Sequence, residues 1–147
     1  MKVTIAADHG GFELKKFLID WLDKQNHEVR DSGNIVYDSE DDYPDFTIKA
    51  CDNVVKGNAE RAIVICGSGV GACVTANKIK GIRACVCHDS YSAHQGVEHD
   101  AINVLCLGAR IIGTELAKEI VSAFLKAEFI EEERFIRRLN KIKALDK

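Results

Sequence analysis

The chain alternates between short apolar runs and longer amphipathic stretches. Residues 2–7, KVTIAA, predict a strand, stopped by Asp8-His9-Gly10-Gly11. In 12–25, Phe12, Phe17, Leu18, Trp21 and Leu22 recur at helical spacing. Residues 27–31 predict a second short strand. Residues 31–44 are polar and loop-like, and their Pro44 suits a helix start. A helix is expected over 45–58, ended by Gly57, then a strand over 61–66, RAIVIC. A helix over 70–79, ended by Gly81, leads to a fourth strand over 83–87. A short helix over 90–98 leads to a fifth strand over 103–108. A helix over 113–127, with Thr114 as its N-cap, and a closing helix over 130–147 complete the pattern.

Repeated strand–helix alternation predicts an α/β fold. We expect a three-layer, Rossmann-like arrangement: a five-stranded parallel sheet, helices on both faces and an extended C-terminal helix. In such folds ligands bind beyond the carboxyl ends of the strands, where strand order reverses. The loops at 8–11, 66–71, 87–90 and 108–110 are therefore the places to look. With 147 residues and no internal repeat or linker, one domain over 1–147 is expected.

Composition narrows the function. A net charge of -3 argues against a nucleic-acid partner. No apolar run reaches membrane-spanning length, and the N-terminus lacks a signal-peptide pattern, so a cytoplasmic protein is expected. Six cysteines (51, 66, 73, 85, 87 and 106) include no C-x-x-C pair. Core packing is the plain reading for those in apolar runs. A disulfide framework and a zinc site are both rejected.

Chemistry-bearing residues gather at the expected loops. Asp8 could bind sugar hydroxyls and His9 an anion or proton, although either could simply cap the helix. In Cys66-Gly67-Ser68-Gly69-Val70-Gly71 the glycines let backbone amides converge into an anion or oxyanion site. Such amides also suit a reactive sulfur at Cys66. A cysteine-phosphatase loop is excluded by Ala72, a nucleophile elbow by Cys66, and a P-loop by the missing Gly-Lys-Ser/Thr. A dinucleotide fingerprint fits poorly, with G-x-G-x-G spacing after the third strand. Glu98-His99-Asp100 precedes the fifth strand, and Arg110 follows it. Arg134 and Arg138 are four apart and share a helix face that could clamp a phosphate, beside an apolar stripe of Phe135, Leu139 and Ile142.

Together these motifs resemble the type B ribose-5-phosphate isomerases, a family shared with the galactose-6-phosphate isomerase subunits. The matching residues are Ala-Asp-His-Gly-Gly at 7–11, Asp-Tyr-Pro at 42–44, Ile-Cys-Gly-Ser-Gly-Val-Gly at 65–71, Ala-Asn-Lys at 76–78, Gly-Ile-Arg at 81–83, Ser-Ala at 92–93, Glu-His at 98–99, Asn-Val-Leu at 103–105 and Gly-Ala-Arg at 108–110. The resemblance implies an aldose–ketose isomerase of pentose phosphate metabolism, without metal or cofactor. It implies Cys66 as the base moving a proton between C1 and C2, with Ser68 on the reacting oxygens. The amides around Gly67, Gly69, Val70 and Gly71 would hold the enediolate. His99 would open the furanose ring, with Asp8 on the sugar hydroxyls. His9, Arg110, Arg134 and Arg138 would hold the phosphate. It further implies a homodimer or dimer of dimers with the site between subunits. A subgroup that replaces the cysteine carries a glutamate where this chain has Ala72. Asp100 stands in the substrate-binding region where many members have asparagine, so its charge must be paired or turned away from bound anions. A six-carbon sugar phosphate (allose or galactose 6-phosphate) is the alternative substrate. A nucleotide-binding module explains the glycines but not Cys66, His99 and the arginines together. A redox role lacks a resolving C-x-x-C partner.

Overall fold

The computed structural model describes residues 1–146. Its elements are β1 (Lys2–Ala7), α1 (Phe12–Lys24), β2 (Glu28–Asp31), α2 (Tyr43–Val55), β3 (Arg61–Cys66), α3 (Val70–Ala76), β4 (Ala84–Val86), α4 (Ser90–Asp100), β5 (Val104–Gly108), α5 (Thr114–Lys126) and α6 (Glu133–Lys143). The five strands form one parallel sheet in the order β2-β1-β3-β5-β4. No helix among the described residues is long and apolar enough to cross a membrane.

A parallel sheet covered on both faces needs strands that are apolar throughout. The central strands meet that need: β5 is buried at every position and β3 at all but its first. Alternation then sorts the side chains. Ile63 and Ile65 pack with Leu14, Leu18, Leu22, Val97, Ile120 and Phe124 from α1, α4 and α5. Ala62, Val64 and Cys66 face the other way, against Ala50, Cys51, Ala72 and Ala76 of α2 and α3. Small residues dominate that second layer, so α2 and α3 can lie close to the sheet. Each large aliphatic side chain buried in the first layer contributes about 1.5–3 kcal/mol.

The chain steps from β1 out to β2, then places β3 on the opposite side of β1. The reversal leaves a crevice between the carboxyl ends of β1 and β3, where Asp8 follows β1 and Cys66 ends β3.

Local differences from the sequence reading have physical causes. Helix α4 runs to Asp100, so Glu98-His99-Asp100 is a last helical turn and not a lead into β5. Its cap is Ala101 in the left-handed region (φ 52°), and no glycine marks that stop. Thr114 is not an N-cap: Gly113 holds that position with extended backbone, and Thr114 begins the helix. Helix α2 starts at Tyr43, with Pro44 in its first turn. Helix α3 ends at Ala76, where the Asn77 side chain turns aside to pair with both backbone groups of Ala84 on the edge strand. Helix α6 begins at Glu133 because Glu132 is still extended, and Lys147 of the expected closing helix lies outside the described residues. On α1 the buried stripe includes Lys15, which is fully buried and bonded to both Asp31 carboxylate oxygens (2.7 and 2.8 Å) and to the Asn34 carbonyl (2.6 Å).

Candidate active site

At the crevice lies a cleft of about 280 Å³ lined by Asp8, Tyr43, Cys66, Gly67, Ser68, Gly71, Arg110 and Ile111. Cys66 is 4% exposed at the very end of β3, and its Sγ accepts the Gly69 N–H at 3.1 Å. Ser68 is exposed, and its Oγ accepts the Val70 N–H at 3.2 Å. Gly69 has φ +79°, and a Cβ there would sit 2.9 Å from the Leu107 carbonyl carbon. Only glycine takes both that backbone conformation and that closeness to β5 without strain. The turn thereby folds back on its own cysteine.

The neighbouring turn packs against it. A Cβ on Gly11 would lie 2.6 Å from the Ile65 carbonyl oxygen, and one on Gly10 would lie 3.1 Å from the Gly67 nitrogen. Asp8 caps this turn, its Oδ1 accepting the Gly10 and Gly11 N–H groups at 2.9 and 3.2 Å. It also lines the cleft, so capping and ligand contact are not exclusive. Burial raises the Asp8 pKa above the usual carboxylate range, and the nearby His9 opposes that rise. His9 does not line the cleft; its ring Nδ1–H donates to Asp41 Oδ1 at 2.7 Å. Asp8, His9 and Asp41 place one potential ligand atom each within 4.8 Å of one another, but His9 and Asp41 use theirs on each other.

Arg110 reaches the cleft from the turn after β5, its guanidinium against Gly67. Three further residues of this region carried no role in the sequence reading. The Tyr43 ring lies over Gly71, where a Cβ would come within 2.5 Å of its Cζ. Ile111 supplies an exposed apolar wall. His88 Nε2 accepts the Gly108 N–H at 2.9 Å, tying the end of β4 to the end of β5. Asp-Tyr-Pro was a sequence signal for Tyr43, and His88 falls in the strand-end loop at 87–90; nothing local marked Ile111.

The other expected site residues lie elsewhere in the chain. His99 and Asp100 close α4, beside the start of β5 at the amino end of the sheet. Val104 pairs with Ala62 and Gly108 with Cys66. Four residues at about 3.3 Å each put those two ends about 13 Å apart. His99 stacks on Phe135 of α6, ring centroids 4.1 Å apart, and its Nδ1 takes a 2.7 Å hydrogen bond from the Gln95 amide. That bond leaves Nε2 as the proton-bearing nitrogen of the neutral ring. Arg134 and Arg138 are exposed on α6, with Phe135 and Leu139 buried beneath them. Arg134 pairs with Glu132 at 2.8 Å. Asp100 lines a separate cavity with Arg83, Ile102 and Ile142, so it is turned away from its own chain's Cys66. One chain thus carries the sulfur, the glycine turn and Arg110 at one end, and the histidine and the arginine pair at the other.

All six cysteines are free. The Ribose/Galactose Isomerase family description matches residues 3–142. The chain belongs to the ribose/galactose isomerase family. A ribose-5-phosphate isomerase B of Clostridium thermocellum superposes with a TM-score of 0.94 at 45% identity, covering 99% of this chain and 97% of that one. Ribose-5-phosphate isomerase B of Mycoplasma genitalium, solved with bound ribulose-5-phosphate, gives 0.92 at 40% identity over 97% and 94% of the two chains. A D-erythrulose-4-phosphate isomerase of Pectobacterium atrosepticum is 40% identical over 88% of this chain and 85% of its own length. The family therefore spans at least two sugar-phosphate lengths.

Proposed function

We propose that this chain is a single-domain aldose–ketose isomerase interconverting D-ribose 5-phosphate and D-ribulose 5-phosphate through an enediolate. The observation that carries the reading is Cys66 lining the cleft at the reversal of strand order, its Sγ held by the Gly69 amide. The bound ribulose-5-phosphate in the Mycoplasma genitalium relative supports the substrate.

In this reading the Cys66 thiolate takes the proton from C2 of the open-chain aldose. The C2–H electron pair becomes the C1–C2 double bond, and the C1 carbonyl oxygen takes the charge. The O2 proton then passes to O1, the C1–C2 double-bond pair takes the proton back from the thiol at C1, and the ketone forms at C2 with Cys66 again a thiolate. Amides of the 67–71 turn and the Ser68 hydroxyl stabilise the charged oxygens, a contribution of about 3–4 kcal/mol per well-placed donor. Asp8 binds sugar hydroxyls. Arg110, His9, Arg134 and Arg138 hold the phosphate, and His99 opens the ring. His99 and the arginine pair lie at the far end of the sheet from Cys66, which supports a site completed by a second copy of the chain. Asp100 would accompany His99 to that site, since both close α4. Free thiols suit a reducing compartment, and the proposed location is the cytoplasm.

A four-carbon substrate is the second reading, favoured by the Pectobacterium atrosepticum relative; six-carbon phosphates remain the sequence-based alternative. Turnover on four-, five- and six-carbon aldose phosphates decides among them. The proposal expects the highest kcat/KM on ribose 5-phosphate. Cys66→Ala should lower kcat by about 10²–10⁴-fold while ribose 5-phosphate still binds. A variant that kept most of its kcat would remove Cys66 as the base, and a preference for erythrose 4-phosphate would replace the substrate.

A further inference from the structure

The polar connection between β2 and α2 brings against His9 one residue that the reaction as described leaves without a role. Asp41 Oδ1 accepts both the His9 backbone N–H (2.9 Å) and the His9 ring Nδ1–H (2.7 Å). Its other oxygen accepts the Asn34 side-chain amide. The Asp41 side chain is only 7% exposed, while that of His9 is 33% exposed. Asn34 is itself held: its N–H donates to the Ala7 carbonyl at 2.8 Å, and its own carbonyl accepts from the buried Lys15. A rigid path thus runs from the buried lysine through Asn34 and Asp41 to one imidazole. The ring's Nε2 bonds no other residue among those described.

We propose that Asp41 is a positioning residue: by holding Nδ1–H it fixes the His9 ring and presents Nε2–H, as part of an imidazolium, to the substrate's phosphate. The inference rests on the isomerase reading and deepens its phosphate site. A carboxylate taken out of water is retained only where it is paired and hydrogen-bonded, and here the imidazole is the cationic partner. A staple for the 32–42 loop would need only the backbone contact, whereas the ring contact orients chemistry. The charge balance agrees. The Asp41 hydrogen bond holds the His9 ring above its ordinary value; burial opposes it next, and the Asp8 and Asp41 charges add to the rise. The charged groups around it are Asp8 at the end of β1 and Asp41 from the connection, with Arg110 against Gly67 in the adjoining turn. A raised midpoint keeps the cation to a higher pH than an ordinary histidine holds it, and loses it as pH rises through that midpoint.

Asp41→Asn is the informative variant. It keeps an acceptor for both His9 donors and removes the charge. Asn34 Oδ1 has no partner among the described residues, so a flip of that amide gives the introduced amide an acceptor. NMR titration of the His9 ring should show a midpoint above 6.5 in the wild type and a lower one in Asp41→Asn. One pH unit of difference changes the cation population above both midpoints about tenfold. KM for ribose 5-phosphate, and the inhibition constant of inorganic phosphate, should therefore match the wild type at pH 6 and rise by up to about tenfold at pH 8. The effect should fall on KM and not on kcat. An ordinary His9 midpoint in the wild type overturns the proposal without any variant, as does an unmoved midpoint in Asp41→Asn. A moved midpoint with a flat KM ratio across pH also overturns it, leaving Asp41 a loop staple. His9→Gln separates the two readings: if it leaves KM unchanged, the assignment of His9 to the phosphate fails, whatever Asp41 does to the ring.

Discussion

Gly69→Ala tests the architecture of the glycine turn, and Gly57→Ala is its control. Both positions lie in the left-handed region, at φ +79° and +74°. Alanine there costs roughly 1–2 kcal/mol through its Cβ alone. At Gly57 nothing lies within 4 Å of the added carbon, so no further cost arises. At Gly69 the added carbon meets backbone: the Leu107 carbonyl carbon at 2.9 Å, with the Gly108 nitrogen and Leu107 oxygen at 3.2 Å. Strand β5 is buried between β3 and β4 and cannot yield cheaply, so overpacking adds about 1–3 kcal/mol. For a chain of this size each kcal/mol moves the melting midpoint by about 2–4 °C. The control should melt roughly 2–8 °C lower and Gly69→Ala roughly 4–20 °C lower. The clash must also push the turn away from Cys66, whose Sγ accepts the Gly69 amide. A displacement of about 1 Å costs about 100-fold in rate. Thermal denaturation by circular dichroism and steady-state turnover read the two effects. Equal melting losses in the two variants would refute the backbone clash. A folded Gly69→Ala enzyme with undiminished kcat would refute the role of the turn.

Three further outcomes are expected. Asp31→Ala should cost about 3–5 kcal/mol in urea unfolding because it strands the fully buried Lys15 cation; Lys15→Met should cost less because Asp31 is 31% exposed to water, and the reverse ranking would overturn this account. Mixing Cys66→Ala and His99→Asn subunits should restore about a quarter of wild-type turnover, since random pairing in a two-fold dimer leaves one intact site in each mixed pair. No recovery over the separate variants would refute a shared site. At pH 7.5 iodoacetamide should label Cys73 well before Cys51, read by peptide mass spectrometry. Hydrogen bonding, first from the Cys106 thiol, lowers Cys73 to about 6, whereas burial pushes Cys51 up to about 12. Equal labelling rates would contradict that ordering.

Much of this protein was written in local sequence. Strand periods, the glycine stops and the alternation of elements determined a parallel sheet with helices on both faces, because an apolar run of four to eight residues between amphipathic stretches buries well in no other arrangement. The strand-end rule located Asp8, Cys66 and Arg110, whose loops leave the carboxyl edge of the sheet. Tertiary structure alone decided which of the remaining residues meet. Glu98-His99-Asp100 reads as a compact local motif beside β5, yet helix α4 carries it to the opposite end of the sheet from Cys66. Lys15 reads as one more solvated charge on α1, and only the returning β2 edge supplies the carboxylate that permits its burial. Asp41 is one of four acidic residues in DSEDD, indistinguishable from its neighbours. Its contact with His9 spans 32 positions and exists because Asn34 is tied to the end of β1. Periodicity records how an element meets its core; pairings between distant loops depend on where the whole chain places them.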